Sequence, residues 1–236
     1  MRADSAPDRQ PRAMRNRPIR VALVDDQALV RSGFRMMVEA EPDIEVVGEA
    51  NDGLEALEMM HEVAVDVLLM DVRMPGIDGI ETTKRIIDAG YPVKIIILTT
   101  FDLDEYVYQA LRAGASGFLL KDARATEMVD AIRAVDSGDA IMAPSTTKRL
   151  LSNLVSNPEP NHRDPRLDML TEREVDVLRD IARGYSNIEI ADNLHLAEGT
   201  IKTHVSRLLS KLHARDRVHL VLLAYEMDLV DRQPNP

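Results

Sequence analysis

Hydrophobic and polar positions follow two repeating patterns in the first part of the chain. Short apolar runs bounded by turn residues are typical of buried strands, and stretches with apolar residues at helical spacing separate them. Strands are predicted near residues 19–24, 44–49, 65–70, 93–98 and 116–120, and helices near 27–40, 53–61, 78–89, 104–113 and 124–137. Five such units predict an α/β fold, a doubly wound five-stranded parallel sheet with helices on both faces.

The pattern after residue 166 is helical only. Capping boxes at Thr171–Glu174 and Ser186–Glu189 predict the starts of two helices, the second ending at Leu194. A third helix is expected over 199–212 and a fourth over 216–228. This predicts a small all-α four-helix domain in which a tight turn joins the second and third helices.

The segment between these patterns has the composition of a linker. Proline punctuates it at Pro144, Pro158, Pro160 and Pro165, and a short helix is predicted from about Ser145 to Val155. The predicted organisation is a first domain over 18–138, a linker over 139–165, a second domain over 166–230 and a tail over 231–236. Residues 1–17 contain five arginines without an apolar core, so we expect a disordered tail rather than a secretory signal, with Met14 as an alternative start.

Composition narrows the class of protein. The 236 residues are 45% hydrophobic, which can supply two cores, and the absence of cysteine excludes a disulfide framework and a thiolate metal site. No apolar stretch approaches the roughly 18 to 20 residues of a membrane span, so the cytoplasm is the expected compartment. A net charge of −11 argues against a general nucleic-acid binder. Residues 199–217 nevertheless form a local basic stripe, Lys202, Arg207, Lys211, Arg215 and Arg217 against the single acid Asp216.

Three carboxylates stand at the ends of predicted strands. Asp71 ends the apolar run from Val65, and Asp25 and Asp26 end the run from Ile19. Side chains at the carboxyl ends of parallel strands share one edge of the sheet, where three carboxylates repel unless a cation lies among them. Oxygen ligands of this kind suit Mg²⁺, beside which an Asp can accept a phosphoryl group. Each of the three taken alone is more simply an ordinary loop or capping residue.

Two further strand ends fit the same chemistry. Thr99 follows the run from Val93, and its hydroxyl suits a hydrogen bond to a phosphoryl oxygen. Lys121 follows the run from Gly117, and its ammonium suits an ion pair with phosphoryl charge. The ordinary alternatives are that Thr99 is a β-branched residue at a strand end and that Lys121 is a solvated surface charge.

Residues 18–138 resemble the receiver domain of two-component response regulators. The resemblance is carried by Val24–Asp26, Met70–Pro75, Leu98–Thr99 and Ala113–Lys121. It implies that Asp71 is the phospho-acceptor, that Asp25 and Asp26 hold Mg²⁺ with Asp71, and that the backbone carbonyl of Arg73 completes the metal site. It also implies that Thr99 and Phe118 are a switch pair and that Lys121 senses the phosphate.

The predicted third helix separates into two faces. Ile201, Val205, Leu208, Leu209 and Leu212 follow core spacing. The polar and basic residues lie on the other side, which is the geometry for reading a DNA major groove and equally that of a solvated amphipathic helix.

Residues 166–230 resemble the LuxR-type helix-turn-helix domain, and the two domains together resemble NarL/FixJ-type response regulators. The matching segments include Leu170–Glu174, Gly184–Asn187, Gly199–Val205 and Lys211–Leu212. The resemblance implies that Lys202, Thr203 and Ser206 face base edges, that Thr200, Arg207 and Lys211 contact phosphates, and that Ser186 and Asn187 are possible backbone contacts. The family often has Ser or Thr at the position of Ala197, so the cap of the third helix is expected to come from Glu198 or Thr200.

The fourth helix has more apolar surface than one small core requires. It resembles the family's dimerisation helix, and the alternative is that it closes the domain core. Paired domains would read half-sites about one helical turn apart.

The sequence therefore predicts a phosphorylation-switched DNA-binding transcription regulator that is not an enzyme. A sensor histidine kinase would phosphorylate Asp71, Thr99 and Lys121 would move toward the new charge, Phe118 would rotate inward, and a homodimer would bind promoter DNA. A phosphatase resembling the haloacid dehalogenases would have Asp where Arg73 stands. A ligand-sensing LuxR-type regulator would require an apolar, usually aromatic pocket, against three Phe and no Trp here. An orphan regulator that uses no phosphate is the remaining alternative.

Overall fold

A computed structural model describes residues 17–100, 104–137 and 164–229, and for residues 104–108 it describes the backbone alone. The predicted tail over 1–17, apart from Arg17, lies outside the described residues, as do the linker helix near 145–155 and the tail over 231–236. No described helix is both long and apolar enough to cross a membrane.

The first domain is a five-stranded parallel sheet between two layers of helices. The strands are β1 (Ile19–Val24), β2 (Ile44–Ala50), β3 (Val67–Asp71), β4 (Lys94–Thr99) and β5 (Gly117–Leu120). The helices are α1 (Ala28–Glu39), α2 (Gly53–Glu62), α3 (Gly79–Asp88), α4 (Asp104–Ala113) and α5 (Ala125–Ser137). The strand order is β2-β1-β3-β4-β5, so the chain reverses its direction of winding between β1 and β3. A ligand site is expected at that reversal, beyond the carboxyl ends of the strands.

Two apolar clusters cover the two faces of the sheet. One lies beneath α2, α3 and α4 and includes Leu68, Met70, Ile95 and Phe118. The other lies beneath α1 and α5 and includes Leu23, Leu69, Ile96 and Met128. The central strands are apolar on both sides because both faces are buried, which explains their continuous apolar runs in the sequence.

The boundaries of the first domain differ from the predicted ones by at most two residues, and β3 shows the largest difference. The run from Val65 predicts a strand over 65–70, whereas β3 begins at Val67 and includes Asp71. Just before β3, the carboxylate of Asp66 accepts hydrogen bonds from the backbone N–H and the Nε of Arg20, at 3.1 Å each. The phospho-acceptor candidate is therefore the last residue of the strand and not the first residue of the loop.

The second domain contains four α-helices after a short 3-10 helix at Pro165–Met169 that was not predicted. They are α6 (Glu172–Ala182), α7 (Asn187–Leu194), α8 (Glu198–Lys211) and α9 (Arg217–Glu226). Both predicted capping boxes are present, at Thr171 and at Ser186. The turn between α7 and α8 begins at His195, which ends α7 in the left-handed conformation at φ 54°. A core of Leu178, Ile181, Ile190, Ile201, Leu208 and other apolar residues holds the helices together.

Candidate functional site

Parallel strands bring the candidate residues to one edge of the sheet. Asp25 follows β1, Asp71 and Thr99 end β3 and β4, and Lys121 follows β5. Asp25 and Asp71 lie on the two strands that flank the reversal of winding. All four side chains are buried, although ionisable groups usually remain solvated. A buried polar group at this edge requires a specific set of partners.

The three carboxylates form a group suited to a hard cation. One oxygen from each of Asp25, Asp26 and Asp71 lies within 4.8 Å of the others. Asp25 and Asp71 are buried and Asp26 is exposed, so the group opens to solvent on one side. An all-oxygen set with room for water fits Mg²⁺, which binds few carboxylates and retains several waters. The donor set therefore agrees with the predicted metal.

Lys121 supplies a positive charge to this group. Its Nζ lies 2.6 Å from Asp25 Oδ2 and 2.9 Å from Asp71 Oδ2. Burial raises the pKa of Asp71 above its ordinary value, and the hydrogen bond from Lys121 offsets only part of that effect. Burial acts to lower the pKa of Lys121, but hydrogen bonds to Asp25 and Asp71 outweigh it and raise that pKa. The ammonium is thus held in its charged form.

The loop after β3 gives access to Asp71. The backbone N–H of Arg73 donates a hydrogen bond to the Asp71 carboxylate and favours its ionised form. A cleft of about 380 Å³ opens beside it, lined by Asp26, Val72, Arg73, Met74, Pro75 and Asp78. Arg73 is exposed on this loop, and the metal-ligand role of its carbonyl remains a prediction.

Gly79 allows α3 to begin against the strand that carries Asp71. A Cβ at this position would lie 1.9 Å from the carbonyl oxygen of Asp71, which no side chain can tolerate. The N–H of Gly79 donates to the carbonyl of Val72 at 2.9 Å and anchors the loop. The linear sequence gives no sign of this role of Gly79, because its close approach to Asp71 appears only in three dimensions.

Thr99 and Phe118 lie on neighbouring strands. The carbonyl of Thr99 accepts a 2.7 Å hydrogen bond from the backbone N–H of Lys121, which fixes the lysine relative to β4. Phe118 pairs with Ile97 across β4 and β5, and its ring is buried in the cluster beneath α3 and α4. The ring of Phe118 is already buried in this structure. The role of Thr99 and Phe118 as a switch pair remains a prediction.

The polar face of α8 is open to solvent. Thr200, Lys202, Thr203, Ser206 and Arg207 are all exposed. Lys202 forms an (i, i+4) ion pair with Glu198 at 2.8 Å on the surface, which costs little to break. The hydroxyl of Thr203 donates to the carbonyl of Gly199 at 3.0 Å. Ser186, which caps α7, is also exposed, and Asn187 is half-buried.

Three residues of the basic stripe contact protein groups instead. Lys211 Nζ lies 2.7 Å from the buried carboxylate of Glu174 and 3.1 Å from the carbonyl of Met169. Arg217 donates to Asn187 Oδ1 at 2.9 Å and to the carbonyl of Tyr185. Arg215 points into the first domain. Lys202 and Arg207 are the exposed cations of the stripe. The positive surface available to DNA is therefore smaller than the net charge of the stripe suggests.

The start of α8 differs from the expected cap. Ala197 occupies the N-cap position in an extended conformation, and the helix begins there without a side-chain hydrogen bond to its first turn. Neither Glu198 nor Thr200 provides the missing cap, because both lie inside the helix. The backbone N–H of Thr200 donates to the carbonyl of Ala197 at 2.9 Å, which closes the first turn.

Helix α9 divides its apolar residues between the two domains. Leu220, Val221, Leu223, Ala224 and Tyr225 pack into the core of the second domain. Val218 and Leu222 pack into the cluster of the first domain. The apolar surface beyond the needs of one core is therefore covered by the first domain in this structure.

Comparison with known proteins matches both domains. Residues 21–133 match the response regulator receiver domain, and residues 168–224 match the bacterial regulatory proteins of the luxR family. The chain is 44% identical over 212 residues to the transcriptional regulatory protein YxjL of Bacillus subtilis (strain 168), which covers 90% of this chain and 97% of that protein. It is 42% identical over 213 residues to the transcriptional regulatory protein LiaR of the same strain, which covers 90% of this chain and 100% of that protein.

A solved structure is similar over most of the chain. The two-component response regulator RcsB in complex with DNA is similar with a TM-score of 0.53 and 26% identity, over 89% of this chain and 98% of that one.

Proposed function

Because the chain belongs to the response regulators that join a receiver domain to a LuxR-type DNA-binding domain, we propose that it is a transcription regulator switched by phosphorylation of Asp71. The observation that carries this proposal is the position of Lys121, whose ammonium lies within 3 Å of both Asp25 and Asp71 beside the exposed Asp26. A buried nucleophile, a cation site and a positive counter-charge are the groups that phosphoryl transfer to a carboxylate requires.

The reaction is a phosphoryl transfer from a phosphohistidine of a sensor histidine kinase. A carboxylate oxygen of Asp71 forms a bond to phosphorus as the bond from phosphorus to the imidazole nitrogen breaks, and the imidazole retains the electron pair. A cleft lined by Asp26, Val72 and Arg73 lies next to Asp71 in the sequence and in the acidic group, and we infer that the donor approaches through it. Mg²⁺, bound by Asp25, Asp26, Asp71 and the Arg73 carbonyl, would neutralise charge on the transferred group.

The phosphoryl group changes the partners of Lys121. In this structure Lys121 neutralises two carboxylates, and one of them becomes an acyl phosphate with a net charge more negative by about one unit. The ammonium then pairs with a phosphoryl oxygen, and the Thr99 hydroxyl donates to another. Lys121 follows β5 and Thr99 ends β4, so both strands respond to the new charge.

DNA binding is proposed for the exposed face of α8. Lys202, Thr203 and Ser206 would reach base edges in the major groove, and Thr200 and Arg207 would contact phosphates. Ser186 and Asn187 would add backbone contacts at the start of α7. Lys211 would contact phosphate only after its ion pair with Glu174 breaks, so its contribution is the least direct. Two copies would bind half-sites about one helical turn apart.

Intact-mass spectrometry after incubation with acetyl phosphate and Mg²⁺ tests the chemistry. The wild-type protein should gain one phosphoryl group, and chelation of Mg²⁺ before the incubation should prevent that gain. The Asp71→Asn variant should gain none, whereas Asp130→Asn, which alters an exposed carboxylate on α5, should behave as wild type. Equal labelling of Asp71→Asn would contradict the assignment of Asp71.

A further inference from the structure

Asp25 is held at each of its polar groups. Its backbone N–H donates to the carbonyl of Ala50 at the end of β2, at 3.2 Å. One carboxylate oxygen, Oδ1, accepts a 2.9 Å hydrogen bond from the N–H of Gln27, and the other lies 2.6 Å from the ammonium of Lys121. The carbonyl of Asp25 accepts a 2.5 Å hydrogen bond from Nη1 of Arg31. The first three partners belong to the sheet, the adjoining loop and the acidic site, whereas Arg31 reaches in from α1.

The carbonyl of Asp25 belongs to the peptide group that joins Asp25 to Asp26. A peptide group is planar and rigid, so its orientation helps to set the directions in which the two flanking side chains leave the backbone. Asp26 is exposed, and none of the described residues donates a hydrogen bond to its carboxylate. The direction of the Asp26 side chain therefore depends on its backbone, and Arg31 is the side chain that holds this backbone.

Arg31 is placed for this contact by α1 and β2. It lies one turn into α1, and helical side chains tilt toward the N-terminus of their helix, which carries the guanidinium back toward residues 25–27. Its Nε donates to Oε2 of Glu49 on β2 at 3.2 Å, and the Arg31 side chain is only 12% exposed. The guanidinium thus bridges α1, β2 and the peptide between the two carboxylates.

Neighbouring acids offset the charge that Arg31 brings to the site. A cation this close to three carboxylates competes with a metal ion for them unless its own charge is neutralised. Glu49 pairs with Arg31 at 3.2 Å and with Arg35 at 2.7 Å, and Arg35 pairs in turn with Glu39 at 3.0 Å. The row Arg31, Glu49, Arg35 and Glu39 alternates in sign and carries no net formal charge. Arg31 can therefore act on the backbone while adding little positive charge to the acidic group.

We propose that Arg31 is a positioning residue for the Mg²⁺ site, and that it fixes the peptide between Asp25 and Asp26 so that an oxygen of each stays close to Asp71. This rests on the proposed phosphorylation of Asp71. Loss of a group that orients metal ligands without touching the metal typically lowers metal affinity about 10- to 100-fold. Charge alone predicts the opposite, because removing a cation beside three carboxylates should strengthen Mg²⁺ binding.

Isothermal titration calorimetry of Mg²⁺ into the full-length protein separates these expectations. All variants carry Gly33→Ala, a substitution that meets no atom within 4 Å and should strengthen α1, so that the loss of Arg31 does not unfold the helix. Arg31→Met should raise the dissociation constant for Mg²⁺ at least about tenfold. Arg31→Lys can still donate to the Asp25 carbonyl and should stay within about threefold of the parent. Unchanged or tighter binding by Arg31→Met would overturn the proposal.

Arg133 provides a matched control for the loss of a bridging arginine. It joins α5 to Glu41 and Asp43, at 2.7 Å and 2.6 Å, and has no contact with the acidic site. Arg133→Met should lower the melting temperature of the metal-free protein without changing its affinity for Mg²⁺. An equal loss of Mg²⁺ affinity in Arg133→Met and Arg31→Met would mean that general stability, and not positioning, sets the affinity, and it would overturn the proposal.

The rate of phosphorylation by acetyl phosphate gives a second readout. Arg31→Met should require about tenfold more Mg²⁺ for its half-maximal rate and should approach the parent rate at saturating Mg²⁺, because Asp71 and Lys121 are unaltered. A lower maximal rate with an unchanged requirement for Mg²⁺ would contradict the positioning role. Phosphorylation of Asp71 with a Mg²⁺ affinity independent of Arg31 would refute this role and leave the proposed function standing. Mg²⁺ binding that depends on Arg31, in a protein that gains no phosphoryl group, would do the reverse.

Discussion

The ammonium of Lys121 lies 2.9 Å from the carboxylate of Asp71, so it pairs with a carboxylate that the sequence assigned to a metal site. Asp25, Asp26 and Asp71 would repel one another without a cation, and the protein supplies one from its own chain. The proposed Mg²⁺ would therefore compete with Lys121 for the same carboxylates.

Removing the internal cation should strengthen metal binding. Lys121→Met leaves Asp25 and Asp71 without their counter-charge, so we expect the affinity for Mg²⁺ to rise about tenfold, equivalent to about 1.4 kcal/mol. Isothermal titration calorimetry measures this directly. Lys202→Met changes the same residue type on the exposed face of the other domain and should leave the affinity unaltered. Weaker binding by Lys121→Met would show that the lysine supports the metal site.

The raised pKa of Asp71 predicts that this residue costs stability at neutral pH. A carboxyl whose pKa is higher in the folded state favours folding in its protonated form, and that advantage is lost as pH rises through the folded-state pKa. Asp71→Asn should therefore raise the melting temperature at pH 7 by several degrees, since about 1 kcal/mol corresponds to about 2–4 °C in a chain of this size.

The difference in melting temperature between Asp71→Asn and wild type should disappear in acid. Below the ordinary Asp pKa of about 3.9 the wild-type carboxyl is protonated in both states, so wild type and Asp71→Asn should melt together. Calorimetric scans of both proteins at pH 7 and at the lowest pH at which they remain folded give the comparison. A melting temperature for Asp71→Asn below that of wild type at pH 7 would mean that the ion pair with Lys121 dominates over burial.

Two glycine substitutions should act in opposite directions. Gly79→Ala places a methyl group 1.9 Å from the Asp71 carbonyl oxygen, and displacing α3 from β3 should cost at least about 3 kcal/mol. Gly33→Ala in α1 meets no atom within 4 Å and should gain about 0.5–1 kcal/mol from helix propensity. Urea denaturation measures both free energies of unfolding. A small change in the free energy of unfolding of Gly79→Ala would show that the loop after β3 can rearrange to accommodate the methyl group.

Variants of Lys211 and Glu174 can separate a structural role of Lys211 from a role of Lys211 in DNA binding. Lys211→Met leaves the buried Glu174 carboxylate without its 2.7 Å partner, although hydrogen bonds from Thr171 remain, so a loss of about 1–2 kcal/mol is expected. Glu174→Gln combined with Lys211→Met should recover most of that stability. DNA affinity of the double variant then reports on Lys211 alone. Affinity equal to wild type would remove Lys211 from the interface.

The strand-end residues were predictable because parallel strands end at one edge, which brings Asp25, Asp71, Thr99 and Lys121 together whatever the details of packing. The capping boxes at Thr171 and Ser186 were predictable because they are local. The contacts of Lys211 and Arg215 with other protein groups were not predictable, because net charge along a sequence does not reveal which long side chains turn inward. The two packing directions of α9 depend on how the domains meet, and that information does not lie in the periodicity of one helix.

Genome-wide mapping of bound DNA in cells that produce either wild type or Asp71→Asn tests the central claim most directly. The phosphorylation switch predicts discrete promoter sites for the wild type that contain paired half-sites about one helical turn apart. At equal protein levels the same sites should be strongly depleted for Asp71→Asn, which retains the exposed face of α8. An identical set of sites with identical occupancy for both proteins would contradict control of DNA binding by Asp71.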